Sequence, residues 1–468
     1  MVFGSAVFLF VFLPIVLILH TIIKNTTIRN GLLIVSSLIF YAFGEPMYVL
    51  LLLGSVAFNY AFGRILYNRK SKAVLALAVI VNLLLLVVFK YTGFLVETFN
   101  GVFNTKLPVP QIVMPIGISF FTFQAISYIV DVYRGKADRK AGFFDVLLYI
   151  SLFPQLVAGP IVQYRTVADA INDRKVTVDG FAVGSRKFII GLSKKMLLAN
   201  AMGLVADKTF AMDTGAVDTP LAWFGAVCYC LQIYFDFSGY SDMALGIGRM
   251  LGFEFPKNFD HPYVAVGIRD FWRRWHMSLT SWFREYLYIP LGGNRKGRGR
   301  QILNSMIVFV CTGIWHGANL TFLVWGFFHG VLMSVETLLV KKDSKPPKVL
   351  APVIWFVTMV AVAVGFVIFR ADNLAYGMSY IGRMFAFVSM DEGYRVLMSF
   401  LTPSMIVTLV VAIIACCPVV GYIQKKTADK KIGKVVEAGA YVVSLMLLVL
   451  CIMSLASNSY NPFIYFRF

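Results

Sequence analysis

Histidines are the side chains best suited to chemistry, and all but one of the five lie in a single stretch, residues 234–330. His316 falls in an apolar segment beside Trp315. An ionisable side chain at membrane depth is costly, which makes His316 a candidate for function. A neutral buried imidazole is a good general base near pH 7 and could take the proton from a hydroxyl that attacks a thioester. The alternative is a core histidine satisfied by a backbone carbonyl.

His276 lies in the segment 270–287, in which Trp272, His276 and Phe283 share one face at helical spacing. Charged and hydroxyl side chains cover the other face, so the spacing predicts an amphipathic helix at the membrane interface. His276 then points from the aromatic face towards the protein interior, as a chemical group or as a structural one.

The remaining histidines carry weaker signals. His329 is thirteen residues from His316, well off the same helical face, and we expect it to be structural. His261 precedes a proline and is expected in a turn, while His20 is expected at the membrane interface.

Basic side chains near His276 could bind an anionic acyl donor. Glycines in the segment 290–300 let backbone N–H groups approach an anion, and Arg and Lys neutralise it. The alternative is an anchor that only follows the positive-inside rule. The donor-binding candidates are Arg273, Arg274, Arg284, Arg295, Lys296, Arg298 and Arg300.

Two acids and three indoles complete the set of candidates. Asp236 and Asp242 stand near the end of an apolar span, where they could line a tunnel, orient groups or simply cap a helix. Trp272, Trp275 and Trp315 are expected to line the tunnel or orient groups beside the histidines. The six cysteines show no zinc spacing, so we expect no metal.

The elements that must position these residues are membrane helices. The chain has 468 residues, of which 59% are hydrophobic and only 14% charged, whereas soluble chains carry about 25% charged residues. The segment 1–20 lacks the basic start and cleavage site of a signal peptide and is interpreted as a retained span. Twelve spans are expected, at about 5–23, 30–43, 47–63, 73–89, 112–130, 188–205, 220–237, 302–318, 320–340, 350–369, 401–420 and 436–456.

The distribution of charge supports this arrangement when the N-terminus is outside. The net charge of +19 then reflects the positive-inside rule rather than nucleic-acid binding. The segment 143–163, which contains two prolines, must dip into the membrane and return, because basic clusters flank it on both sides. Of the 43 Lys and Arg residues, the only ones left outside are Lys90, Lys106, Lys208, Arg370, Arg383, Arg395 and Arg467.

The predicted fold is therefore an all-α integral membrane protein with about 11 to 12 transmembrane helices. The whole chain, 1–468, is expected to form one polytopic domain. Within it, 238–301 is predicted as a region of re-entrant and in-plane helices, and 457–468 as an aromatic C-terminal tail that emerges outside.

Several motifs, in this order along nearly the whole chain, resemble the membrane-bound O-acyltransferase (MBOAT) family. The branch it resembles most is the bacterial one of alginate O-acetylation and teichoic-acid D-alanylation. The motifs are Phe153-Pro-Gln-x-x-Ala-Gly-Pro160, Asp236-Phe-Ser-Gly-Tyr-Ser-Asp242, Trp272-x-x-Trp275-His276-x-Ser-Leu-x-x-Trp282, Tyr288-Ile-Pro-Leu-Gly-Gly-Asn-Arg295, Trp315-His316-Gly317 and Trp325-x-x-x-His329-Gly330.

This resemblance implies a ring of helices around a central tunnel that joins a cytoplasmic funnel to an outer one. His316 matches the catalytic histidine of the family, and His276 matches its second conserved position. An aromatic C-terminal motif in related proteins resembles 463–468, which makes Tyr465 a hypothetical acyl relay; direct transfer by His316 is the simpler scheme.

The expected activity is that of a membrane O-acetyltransferase in the cell (inner, cytoplasmic) membrane, acting on an exported or cell-envelope polysaccharide. Acetyl-CoA is the expected co-substrate, with no bound cofactor and no nucleic acid. The expected partners are the membrane lipids, the polysaccharide, and an extracellular or periplasmic SGNH-type acetyltransferase or esterase. An acyl carrier protein is the alternative donor. The other functions left open are D-alanyl transfer towards teichoic acid, a non-enzymatic acyl transporter, and a lipid or protein acyltransferase.

Overall fold

The described part of the computed structural model, residues 1–136, 141–340, 346–427, 431–457 and 460, consists of helices, turns and loops and contains no strand. The predicted all-α class is therefore confirmed. The helices are α1 Leu13–Ile22, α2 Thr26–Ala42, α3 Tyr48–Asn68, α4 Lys72–Phe103, α5 Ile118–Tyr133, α6 Phe143–Ser151, α7 Phe153–Leu156, α8 Tyr164–Asn172, α9 Val178–Ser193, α10 Asn200–Phe210, α11 Thr219–Met250, α12 Ile268–Arg274, α13 Met277–Phe283, α14 Gly297–His316, α15 Leu320–Leu339, α16 Ala351–Arg370, α17 Leu374–Met384, α18 Asp391–Phe400, α19 Pro403–Cys416, α20 Val419–Thr427 and α21 Lys431–Ser457.

Two compact units make up the chain. The first contains Met1–Phe188 and Tyr240–Lys257, and the second contains Ile189–Gly239 and Asn258–Phe468. In the first unit, α5 is buried along almost its whole length, and its polar side chains are buried with the apolar ones. The second unit has its own core of aromatic and aliphatic side chains, which includes most of the candidate site.

The number of spanning helices differs from the prediction. Among the described residues, seven helices are long and apolar enough to cross a membrane, or up to eight if the bent pair Asp391–Phe400 and Pro403–Cys416 is one span. Three further apolar helices, Phe8–Ile22, Thr26–Ala42 and Ile118–Tyr133, are shorter. A span needs about 20 residues at 1.5 Å each, so the apolar windows in the sequence overcounted full-length helices.

Helix α11 corrects the predicted interruption near residue 238. It runs unbroken from Thr219 to Met250, past Asp236 and Asp242. Both acids have cationic partners, Lys195 and Lys187 respectively, so the polar residues do not force the helix to end. The irregular region starts only after Met250, and α14 begins at Gly297 rather than at 302.

A second correction concerns the segment 270–287, which is not one continuous helix. Helix α12 ends at Arg274, and α13 begins at Met277. His276 between them has a left-handed backbone with φ +45°, a conformation that few non-glycine residues adopt. The break turns His276 out of either helical face and towards Asn258.

Candidate active site

Helices α14 and α15 pack closely at two facing glycines. A Cβ on Gly313 would lie 2.3 Å from the carbonyl oxygen of Phe322, and one on Gly326 would lie 2.4 Å from that of Phe309. Only glycine permits the two backbones to approach this far, as at the interfaces of other membrane helices. This contact fixes α15 against the end of α14 that carries His316.

His316 is the last residue of α14 and is partly buried. It therefore lies at a helix end rather than deep within a helix. Its ring lies 4.9 Å from the ring of Trp315, 5.2 Å from that of Trp325 and 5.0 Å from that of Phe369, measured between centroids. The carbonyl end of α14 favours positive charge, which suits a ring that accepts a proton.

His276 is almost fully buried, and Asn258 holds it in place. Its Nδ1 lies 3.2 Å from Oδ1 of Asn258, and that oxygen also accepts hydrogen bonds from the backbone N–H and the hydroxyl of Ser278. Because Asn258 Oδ1 is an acceptor, Nδ1 carries the proton and Nε2 is the unprotonated, basic nitrogen. Burial lowers the pKa of His276 to about 3, so the ring is neutral at physiological pH.

The two histidines belong to one aromatic cluster. Trp315 lies between them, with its centroid 6.2 Å from the ring of His276 and 4.9 Å from that of His316. The ring of Phe237 contacts His276 at 4.5 Å. The structure thus brings together the two histidines that the sequence separates by forty positions.

His329 also joins this cluster. Its buried ring lies 5.1 Å from Trp272 and 5.1 Å from Trp325, and Trp325 contacts His316 on its other side. Within the described part of the chain, the indole N–H groups of Trp272 and Trp325 are buried and have no hydrogen-bond partner. A buried donor without a protein partner needs an explanation, and a bound ligand is one.

The remaining tryptophan and the two acids occupy different places. Trp275 is buried in the core of the second unit and stacks on Phe271 at 5.5 Å. Asp236, one residue before Phe237, forms a buried ion pair of 2.7 Å with Lys195. Asp242 belongs to the first unit, where it lies 3.7 Å from Lys187.

The predicted donor-binding cations divide into paired and exposed groups. Arg274, predicted as donor-binding, forms an ion pair of 3.0 Å with Asp270 on the same helix. Arg298 and Arg300 stand on the first turn of α14 rather than in a loop. The exposed cations are Arg273, Arg284, Arg295, Lys296, Arg298 and Arg300.

Sequence reasoning missed Asn258, Lys195 and Phe369. Asn258 gives no signal because it stands in an irregular segment, and Phe369 is one of 42 phenylalanines. Lys195 could have been noticed as a charge inside an apolar span.

Tyr465 lies outside the described residues. Among the described residues, no three His, Cys, Asp or Glu side chains lie together as a metal site requires.

The model of the membrane-bound O-acyltransferase family matches residues 136–342. The chain is 39% identical to the probable alginate O-acetylase AlgI of Pseudomonas putida, over 100% of both chains. It is 37% identical to the peptidoglycan O-acetyltransferase of Helicobacter pylori, covering 80% of this chain and 78% of the relative. The teichoic acid D-alanyltransferase of Bacillus subtilis is 28% identical over 60% of this chain and 73% of its own length.

These matches confirm the predicted enzyme class, an O-acyltransferase, and set aside the non-enzymatic transporter. Together with the apolar helices, they also confirm a multi-pass protein of the bacterial cytoplasmic membrane. The chain belongs to the membrane-bound O-acyltransferase family.

Proposed function

We propose that this chain transfers acetyl groups from cytosolic acetyl-CoA to hydroxyl groups of an exported or cell-envelope polysaccharide. Relatives that are 37–39% identical are named as O-acetylating enzymes of alginate and of peptidoglycan, and both acceptors are extracytoplasmic glycans. The D-alanyltransferase match is weaker and shorter, at 28% identity over 60% of this chain. An extracellular SGNH-type partner that completes transfer to the polymer belongs to the same proposal.

His316 is the proposed general base, because it is the histidine at the edge of the aromatic cluster that remains partly accessible. Its ring takes the proton from the acceptor hydroxyl, and the oxygen attacks the thioester carbonyl carbon. The C–S bond then breaks, and the CoA sulfur leaves and takes up the proton from the imidazolium. The indole N–H groups of Trp272 and Trp325 are suited to donate to the carbonyl oxygen as it gains charge.

His276 is proposed to orient groups rather than to exchange protons. A base works best when its pKa lies near the working pH, and burial holds the pKa of His276 at about 3. Its neutral ring, fixed by Asn258 through Nδ1, presents Nε2 as a hydrogen-bond acceptor. Nε2 of His276 can align the hydroxyl of the polysaccharide, or Trp315, while the ring stays neutral.

The exposed cations from Arg273 to Arg300 are the proposed contact for the phosphates of CoA. Arg273 lies on α12, Arg284 directly follows α13, Arg295 and Lys296 lie in the turn before α14, and Arg298 and Arg300 lie on its first turn. Charge alone would equally attract an acidic carrier protein. Transfer by way of Tyr465 is a further proposal, and direct transfer at His316 involves fewer steps.

A test uses the purified protein in nanodiscs with radiolabelled acetyl-CoA, following CoA release. His316→Ala is expected to abolish release, and His276→Asn, which tolerates the left-handed backbone, is expected to reduce it. His261→Asn is the matched control, since His261 also has a positive φ, and its Nδ1 contacts the carbonyl of Cys416 at 3.2 Å.

Two results would contradict the proposal. Equal CoA release by wild type and His316→Ala would remove His316 from the chemistry. No consumption of acetyl-CoA, combined with consumption of a D-alanyl-charged carrier protein, would replace the acetyl donor with the aminoacyl one.

A further inference from the structure

Arg174 is a buried cation of the first unit, in the loop between α8 and α9. It is only 6% exposed, and its guanidinium lies over the ring of Phe253 at 4.7 Å. Its Nε donates to the carbonyl of Leu251 at 3.2 Å, and its Nη1 donates to Oδ1 of Asn30 at 2.6 Å and to two carbonyls of α8. These contacts hold the guanidinium in place, and every acceptor among them is uncharged.

No carboxylate neutralises this charge within the part of the chain that the structure describes. Three Lys or Arg side chains there are almost fully buried, and the other two, Lys195 and Arg370, each form an ion pair with an aspartate. Asp173, the chain neighbour of Arg174, is exposed and forms no ion pair with it. Burial and the nearby charge of Arg29 lower the pKa of Arg174 to about 10, so the side chain stays charged at neutral pH. A buried charge is costly without a counter-charge, which a bound anion can supply.

Arg29 and His20 lie beside Arg174 and share its surroundings. Asn30, which accepts the hydrogen bond from Arg174, directly follows Arg29 on α2. Nε of Arg29 in turn donates to the carbonyl of His20 at 3.1 Å. Both guanidinium groups lie close enough to the ring of His20 to act on it electrostatically, and this ring is buried. His20, Arg29 and Arg174 thus form one basic cluster that joins the end of α1, the start of α2 and the loop after α8.

The basic cluster contains nitrogen atoms whose hydrogen-bonding capacity is unused. Nη2 of Arg174 and Nε2 of His20 are buried and have no hydrogen-bond partner among the described residues. The two Nη atoms of Arg29 donate to no acceptor there either, and this side chain is only partly buried. Acceptor oxygens brought by a ligand would satisfy these groups. Guanidinium groups match the oxygens of a phosphate, and an imidazole can add a hydrogen bond from Nε2.

The basic cluster lies at the level expected for the head groups of the membrane. In the predicted orientation, the loops after α1 and after α8 are both cytoplasmic, and the hydrogen bonds of Asn30 with Arg174 and Ile171 agree with that placement. Basic pockets between membrane helices on the cytoplasmic side bind anionic head groups. Exposed apolar side chains, which can contact acyl chains, stand on the same ends of α1 and α2: Leu19, Ile22 and Ile28.

We propose that His20, Arg29 and Arg174 form a binding site for a phosphate group. The exposed apolar side chains beside the basic cluster favour the head group of an anionic phospholipid as its source, and soluble phosphate presents the same oxygens. The bound phosphate supplies the counter-charge that no described carboxylate gives to Arg174, and it ties α1 and α2 to the loop after α8. This site depends neither on the proposed acetyl transfer nor on the cations proposed to bind CoA.

The first experiment measures lipid binding by native mass spectrometry of the lipid-free protein in detergent, with phosphatidylglycerol and phosphatidylcholine as probes. Wild type is expected to bind one phosphatidylglycerol about tenfold more tightly than phosphatidylcholine. Arg174→Gln and Arg29→Gln are each expected to remove most of this preference, because a hydrogen bond between charged groups contributes about tenfold or more in affinity. Since Arg29 is only partly buried, its variant decides the question even if Arg174→Gln fails to fold.

The matched control is Lys24→Gln. Lys24 is exposed and lies in the same loop between α1 and α2, so its replacement removes an equal charge without touching the buried groups. The preference for phosphatidylglycerol should remain in this variant. A loss as large as that in Arg29→Gln would indicate general attraction to basic loops and would overturn the site.

The second experiment separates the two sources of phosphate. The Tm of the lipid-free protein is compared in sodium phosphate and in sodium chloride of equal ionic strength, for wild type and Arg29→Gln. The variant corrects for the general stabilisation that phosphate gives to folded proteins. A larger rise in Tm for wild type, without any lipid preference, would assign the site to soluble phosphate. The site would be overturned by the absence of both responses, and also by a lipid preference that survives in Arg174→Gln and Arg29→Gln.

Discussion

Gly326 sets how closely α15 approaches α14, and Gly326→Ala tests whether that approach positions the active site. The new Cβ would lie 2.4 Å from the carbonyl oxygen of Phe309 and 3.2 Å from Cα of Gly313, whereas ordinary contact begins at 3.4 Å. Both neighbours are backbone atoms, which cannot rotate away. The two helices must therefore separate by about 1 Å, because a close-packed interior leaves no free space.

That displacement acts directly on the contacts of the candidate active site. Trp325 immediately precedes Gly326, and its ring touches His316 at 5.2 Å and His329 at 5.1 Å. A shift of about 1 Å in a catalytic arrangement can cost roughly 100-fold in rate. We therefore expect kcat/KM for acetyl-CoA consumption to fall by about 100-fold, with an overpacking loss of about 1–3 kcal/mol in stability.

The assay is CoA release in nanodiscs, with Tm and monodispersity measured on the same samples. Gly54→Ala in α3 is the matched control, because a Cβ there meets no atom within 4 Å. A folded Gly326→Ala protein with kcat/KM within twofold of wild type would refute the idea that the glycine contact positions the site.

Three further predictions concern buried polar groups. Asn258→Ala removes the acceptor that fixes Nδ1 of His276, and we expect kcat to fall about tenfold with little change in KM. An unchanged kcat would show that the reaction does not depend on the tautomer of His276 that Asn258 holds. Lys195→Met leaves Asp236 buried without its 2.7 Å partner and should cost about 3–5 kcal/mol, whereas the double variant with Asp236→Leu should recover most of the lost Tm. Burial depresses the pKa of His276 to about 3, so between about pH 6.5 and pH 3 the unfolded chain binds one more proton than the folded chain. The free energy of unfolding should therefore decrease as the pH is lowered through that window, by up to about 1.4 kcal/mol per pH unit. His276→Asn should flatten this part of the profile relative to wild type, and parallel profiles would contradict the neutral, buried ring.

The sequence by itself determined the class of the protein and its principal chemical groups. Long apolar windows and the one-sided distribution of Lys and Arg require a membrane protein, because lipid excludes charge and unpaired backbone. His316 and His276 were selected because an imidazole in apolar surroundings costs free energy of desolvation, so such residues are candidates for function. These arguments depend only on residue type and local neighbours.

Local patterns failed where a distant partner decided the outcome. Helix α11 continues through Asp236 because Lys195 neutralises that carboxylate. A hydropathy profile does not show which charged residues pair. The amphipathic pattern of 270–287 predicted one helix, yet the chain breaks at His276, where Asn258 accepts hydrogen bonds from Ser278. Hydropathy windows also counted short helices as full spans.

The geometry of the candidate active site was decided by tertiary structure. Forty residues separate His276 from His316, and only the packing of α14 on α15, together with the turn at His276, places Trp315 between their rings. Sequence fixes which groups can react or bind, whereas close packing and charge pairing across long separations decide which of them meet.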